Sequence, residues 1–413
     1  MRFEGSYPQD FLRHRRGNAT LPSNGAMTTT LRISEPSELL SYLPYHLGFQ
    51  PQESVVALAV RGQRRRVGLL VRIDISDLLH PEAGEERRKI LRSHMEADGA
   101  QALILVTYTN SDFSPTDASP TAYSQLQLRQ LLTDLERQFD DDLPVLSSWV
   151  ITPDHYFELQ DGAVPPRDMW SDAAELDNTA TVASAVYAGA MVVPDRAALA
   201  EIPRAEAKDR DRAQRATLRW LERNRADGEK TWRIESWQLW EDAIAAQMQA
   251  QASRAHESPE AAPLLADPLL LGRLQAGLEN IRIRDAVMVS CLPGMGDLPY
   301  RSVATDVREE VARSVDRVLN SKHAARPGAE VRAVEQLLSG IYAHCAAARS
   351  TPALTVLAWI SWWKGNGARA SVLIDRALEA DPSYNMARLV ERMIEVGMPP
   401  GWVQRQRELE EVG

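Results

Sequence analysis

From Ser54 to Val60 the chain is a continuous apolar, β-branched run, and Arg61 to Arg66 is polar around Gly62. From Val67 to Ile75 the apolar residues Val67, Leu69, Val71, Ile73 and Ile75 alternate with Gly68, Arg72 and Asp74. That pattern predicts an antiparallel pair of strands joined at the glycine. Ala102 to Thr107 is a near-continuous apolar run, as a strand covered on both faces requires. Val145 to Thr152 reads as another strand, with Tyr156 to Leu159 pairing back across the turn at Pro153-Asp154.

Helical spacing fills the gaps. Ser37 to Leu43 reads as a short helix interrupted by Pro44, because proline lacks the amide donor and restricts the residue before it. Glu82 to Glu96 places Ile90, Leu91 and Met95 inward, and Tyr123 to Phe139 places Leu128, Leu131, Leu132, Leu135 and Phe139 on one face. Asn178 to Met191 and Asp195 to Leu199 close the segment. Strands and helices that alternate in this order predict an α/β domain over residues 30–203, with a mixed, mostly parallel sheet and packed helices.

Beyond residue 203 the strand signal stops, and the expectation becomes an all-α region. Residues 204–260 read as a linker. Arg204 to Arg225 is almost continuously charged, and Trp237, Trp240, Ile244 and Met248 make the following stretch amphipathic. Residues 261–402 read as a helical domain, opened by Asp267-Pro268, a capping residue followed by a first-turn proline. Between Ser361 and Tyr384, Gly365, Ala370, Ala377 and Pro382 fall at the spacing of one tetratricopeptide-like hairpin. A second copy is absent, so the expectation is one TPR-like hairpin rather than an array, which needs about three repeats. Residues 403–413 read as a charged tail and residues 1–29 as a disordered leader, in which Met27 is placed to be the natural start.

Charge and cysteine usage narrow the classes. A net charge of -10 argues against a general nucleic-acid binder, which needs a basic face to displace counterions. The two cysteines, Cys291 and Cys345, stand alone in apolar helical patterns and predict buried free thiols in a reducing cytoplasm. No apolar window reaches the ~18 residues of a membrane span.

Candidate chemistry is sparse. In open α/β sheets ligands bind beyond the carboxyl ends of parallel strands. Those ends carry Asp74, then Tyr108 and Asn110, then Asp154, with His46 in the loop region opposite. A carboxylate there can hold a cation or take a proton, yet Asp and Asn also favour such places for local hydrogen bonding. Arg61, Arg64, Arg65 and Arg66 sit at the hairpin tip, where a solvated role suffices. Gly294-Met295-Gly296 lacks the Gly-Lys-Ser/Thr of a phosphate loop. The eight histidines show no zinc-binding spacing, and no motif indicates a cofactor. Arg284-Asp285 reads as an ion pair between helices.

With these segments in hand the chain resembles an uncharacterised actinobacterial family, domain of unknown function 4192. The resemblance rests on Pro44-Tyr45 with Leu47-Gly48-Phe49, Pro51 and Ser54; on Val71-Arg72-Ile73-Asp74; on Val106-Thr107-Tyr108; on Ile283-Arg284-Asp285-Ala286; and on the stretch from Ala353 to Leu389. It departs locally, because many members carry a cysteine- and glycine-containing loop where this chain has FELQDGAVPPRDMW. The resemblance implies an intracellular protein and carries over no catalytic residue. Two readings follow. The first, which the sequence favours, is an interaction or scaffold protein with a partner on the TPR-like surface. The second is an enzyme or small-ligand binder whose site uses Asp74, Tyr108, Asn110, Asp154 and His46.

Overall fold

The computed structural model describes residues 18–20, 30–32, 35–62, 66–111, 125–139, 142–160, 162–254 and 267–412. Most of the leader expected over 1–29 lies outside them, as do Arg64 and Arg65; within it Asn18–Thr20 (β1) pairs antiparallel with Thr30–Arg32 (β2). The chain divides into two units, Met1–Ala198 and Leu199–Gly413. No helix among the described residues is long and apolar enough to cross a membrane.

The first unit is built on a six-stranded sheet. Its strands are Ser54–Arg61 (β3), Arg66–Asp74 (β4), Ala102–Tyr108 (β5), Val145–Ile151 (β6), His155–Glu158 (β7) and Ser171–Asp172 (β8), in the order β4-β3-β5-β6-β7-β8. The expected α/β architecture with a mixed sheet is present, but the sheet is not mostly parallel. Only β5 and β6 run parallel; the other four pairs are antiparallel. Short turns after β3 and β6 make hairpins, whereas a parallel neighbour needs a crossover. The helix Gln125–Gln138 lies in the connection that makes the parallel pair.

Alternation along β3 sends side chains to two helical layers. Val55, Ala57 and Ala59 join Leu103 and Leu105 against Leu91, Met95, Leu128, Leu131, Leu132 and Leu135. Val56 and Leu58 join Val106 and Tyr108 against Leu39, Leu40, Tyr42 and Leu43. The helices are Pro36–Leu47 (α1), Ile75–Leu78 (α2), Gly84–Ala97 (α3), Gln125–Gln138 (α4) and Ala180–Tyr187 (α5). Ile90, expected inward, is exposed, while Leu91 and Met95 are buried.

Two local departures matter for the site. Pro44 does not end α1; it sits inside it, and the helix stops at Gly48, whose left-handed φ of 82° lets its amide donate to the Pro44 carbonyl at 2.8 Å. In β4 the register slips opposite Ala59, so Val67 joins the α1 face while Leu69, Val71 and Ile73 face the other layer. Gly68 sits in that slip, where a Cβ would come within 2.4 Å of the Asp98 carboxylate.

The second unit is helical throughout its described residues: Ala207–Asp227 (α6), Glu229–Arg254 (α7), Pro268–Leu278 (α8), Ile281–Ser290 (α9), Leu298–Ala304 (α10), Arg308–Leu319 (α11), Ala329–His344 (α12), Thr351–Trp363 (α13), Gly367–Ala380 (α14), Asn385–Glu395 (α15) and Gly401–Val412 (α16). The segment read as a linker is part of this core. Trp220, Trp232, Trp237 and Trp240 are buried in it, and α6 meets α8 so closely that a Cβ on Gly272 would lie 2.2 Å from the Ala213 carbonyl. Charge covers the outer face of α6, while Ala213, Ala216 and Thr217 form a narrow inner one. The hairpin read from Gly365, Ala370 and Ala377 forms as α13 and α14, and every residue of α13 is buried. Arg284 and Asp285 pair within α9 itself, at 2.7 Å, and Arg284 reaches out to the Tyr384 hydroxyl at 3.0 Å.

Candidate functional site

Strand register lines up the edge that the sequence pointed to. Asp74 lies opposite Ser54, Ser54 opposite Tyr108, Tyr108 opposite Ile151, Ile151 opposite Tyr156 and Tyr156 opposite Ser171. One row of residues therefore crosses all six strands. Pairing alone sets this row, so Asp74, Tyr108, Asn110 and Asp154 share an edge of the sheet.

They do not share a pocket. An open cleft of about 810 Å³ occupies the β5-to-β8 end of the row and is roofed by α1 and the 3-10 segment Ala173–Asn178. Tyr108 and Asp154 line it, together with Ser41, Tyr45, Thr152, His155, Trp170, Asp172 and Asp177. Asp74 stands two strands away from Tyr108, roughly 10 Å at ordinary strand spacing. Its carboxylate is bound to Arg72 at 2.6 Å. Asn110 is exposed beyond the cleft, and its backbone amide donates to Glu53. His46 sits on α1 one residue past the lining Tyr45, which turns it about 100° around the helix. It packs instead beside Tyr42, ring centroids 5.8 Å apart, and burial lowers its imidazole to about 4.

Glu53 is the residue that sequence reading missed. It has a left-handed φ of 39°, the one non-glycine with positive φ among the described residues. Its carboxylate accepts from the Asn110 amide at 2.7 Å and the Thr109 hydroxyl at 3.1 Å, while its carbonyl accepts from Ile75 at 2.9 Å. Glu53 thus ties the start of β3 to the ends of β4 and β5. No local pattern announces it, since the partners of its side chain lie more than fifty residues away.

The family-like loop also finds its place here. Gly48 ends α1, Phe49 is buried, and the backbone of Gly48 and Gln50 pairs with Val193 at 3.0 and 2.9 Å. These bonds hold Pro44, Tyr45 and Gln50 at the cleft wall. Trp170 packs as the opposite wall, stacked on Phe157 at 4.5 Å and edge-on to His155 at 5.7 Å.

Tyr108 is the electrostatic oddity of the cleft. It is buried, its hydroxyl has no hydrogen-bond partner among the described residues, and burial pushes its pKa upward. An unpaired buried hydroxyl costs about 1–3 kcal/mol, so the position invites a partner. Ser54, its cross-strand neighbour, also has an unpaired buried hydroxyl. No group of three or more His, Cys, Asp or Glu side chains among the described residues is arranged to hold a metal ion. Gly294 and Gly296 form an open turn between α9 and α10, away from any strand.

A family model described as Domain of unknown function (DUF4192) matches residues 36–401. No curated protein and no solved structure matches the chain.

Proposed function

The chain belongs to the DUF4192 family of unknown function, and from that premise we propose that it binds a small ligand in the cleft beside β5, β6 and β8. The observation that carries this reading is the buried, unpaired Tyr108 hydroxyl at the wall of a concave site whose other polar groups come from four separate elements. Ligand sites combine apolar walls with a few converging polar groups, and Leu40, Ile151, Leu176 and Val182 supply the apolar part here. Binding is the function this geometry supports best. The buried thiols Cys291 and Cys345 support a reducing cytoplasm as its compartment.

The interaction reading rests on less. A peptide groove on the hairpin needs an open face, and α13 has none within its own unit. What supports a protein partner is the exposed apolar trio Leu389, Val396 and Met398 at α15 and just beyond it.

The test is a thermal-shift screen of small metabolites on the wild-type chain and on Ala174→Trp, which fills the cleft from an exposed position. A ligand at about one hundred times its Kd stabilises the fold by about 2.7 kcal/mol. The expected result is a ligand that raises the melting temperature of the wild type and leaves the variant unmoved. Equal shifts in both proteins would place the ligand elsewhere.

A further inference from the structure

Resting on the cleft reading, the geometry points to a ligand class: we propose that the cleft takes a small organic cation, an amine or amidine carried on an apolar body. Three carboxylates, those of Asp154, Asp172 and Asp177, line the cleft, and no lysine or arginine does. Asp154 and Asp177 have no side-chain hydrogen bond or ion pair among the described residues, and Asp172 accepts only the Ala174 amide at 2.9 Å. Elsewhere in this unit several carboxylates find cations, Asp74 with Arg72, Asp98 with Arg61 and Asp77 with Arg87, and others such as Glu53 find neutral donors. Arg167, next to the cleft, makes no ion pair among the described residues; it lies over the Trp170 ring, 5.4 Å from the centroid.

Acidic side chains alone would prove nothing, since solvated carboxylates are common. The second observation is Tyr108, buried with an unpaired hydroxyl on the same wall. That hydroxyl gives a bound molecule a fixed polar anchor, while Tyr45 offers an aromatic face for a cation. A phosphate or carboxylate ligand would enter against three like charges with no lysine or arginine in the lining, and only the His155 imidazole, edge-on to Trp170, to receive it. A bare metal ion would find no cluster of ligands among the described residues. An organic cation fits both conditions, because its charge needs proximity rather than coordination and its body can cover Leu40 and Ile151.

The experiment compares three probes of one shape and different charge, benzylamine, benzyl alcohol and benzoate, by ligand-observed NMR on the full chain. Each is run on the wild type, on Asp154→Asn with Asp177→Asn, and on Tyr108→Phe. Both aspartates are exposed, so the double variant should fold. The expected result is that benzylamine binds most tightly, that added salt weakens it, and that the double variant loses about tenfold in affinity, as two partly screened charge pairs imply. Benzyl alcohol or benzoate binding as tightly as benzylamine, sensitive to Tyr108→Phe but indifferent to the double variant, would overturn the charge inference and leave the cleft reading standing. Failure of all three probes would overturn both.

Discussion

The two units place their unpaired buried polar groups differently. In the helical unit the tryptophan ring N–H groups of Trp220, Trp232, Trp240 and Trp363 all donate, to Ser236, Trp220, Leu274 and Ala325; the Trp237 ring N–H and one side-chain atom each of Arg210, Arg233, Gln247 and Gln275 are buried unpaired, dispersed among its helices. Glu335, low in solvent exposure, receives both Lys364 and Arg369. At the strand-end edge of the α/β unit, Ser54 and Tyr108 are buried without partners and three carboxylates face the cleft without cations. Paired polar groups inside a core specify one packed structure, while polar groups left unpaired at a concave edge are positioned for something else. The contrast supports the proposed recognition site in the first unit, and it can be broken by mutation.

The largest effect should come from the helical core. Trp240 is fully buried and its ring N–H donates to the Leu274 carbonyl at 3.1 Å. Trp240→Ala removes the side chain and its hydrogen bond and opens a cavity, for a loss of about 3–5 kcal/mol read from the urea midpoint. A loss under about 1 kcal/mol would mean that this core is loosely packed.

The Glu335 network comes next. Glu335→Ala leaves Lys364 and Arg369 without their counter-charge, at a cost of about 2–3 kcal/mol, less than for a fully buried pair because Lys364 is partly exposed. Burial pushes the Glu335 carboxyl up, but the two cations outweigh it and hold its pKa below the ordinary value. Stability from a depressed carboxyl is complete above the unfolded pKa, about 4.3, and disappears as pH falls through the folded one. The gap between wild type and Glu335→Gln should therefore be widest near neutrality and close below about pH 4.

His46 predicts a separate pH window for the other unit. Burial lowers its imidazole to about 4, so between the ordinary value of about 6.5 and that figure the unfolded chain binds the extra proton. Stability is complete above this window and falls as pH drops through it, by at most about 1.4 kcal/mol per pH unit. The α/β unit should soften on acidification before the Glu335 network does, and His46→Gln should flatten that slope in urea titrations between about pH 7 and pH 4.

What was legible in the sequence follows from the range of the interactions. The apolar run of β3, the helix faces of Leu128 to Leu135, and the cap at Asp267 depend on neighbours a few residues away, so they could be read directly. The edge bearing Tyr108 and Asp154 was legible because strand direction alone fixes it. The cleft was not. Asp172 and Asp177 reach it through β8, a two-residue strand, and a short 3-10 segment, neither of which has a periodic signal. Asp74 lies outside the cleft because strand order places it two strands away, and order depends on long-range pairing that the sequence does not display. Pro44 misled for a different reason: near the end of α1 its missing N–H removes only one bond, and Gly48 sets the stop.

The smallest expected effect is also the most discriminating. A tyrosine whose hydroxyl is satisfied loses about 0.5–1.5 kcal/mol when changed to phenylalanine. Tyr108 should not behave this way, because its hydroxyl is buried and bonds to nothing. Tyr108→Phe removes an unpaid desolvation cost while keeping the ring against Val56, Leu58 and Val106. The ligand-free variant should therefore match the wild type or exceed it by up to about 1 kcal/mol in urea unfolding. A cleft ligand that pairs with the hydroxyl reverses the sign, since only the wild type can then make the bond. A variant already less stable without ligand would show that the Tyr108 hydroxyl has a partner within the fold, and the contrast between the two units would lose its strongest member.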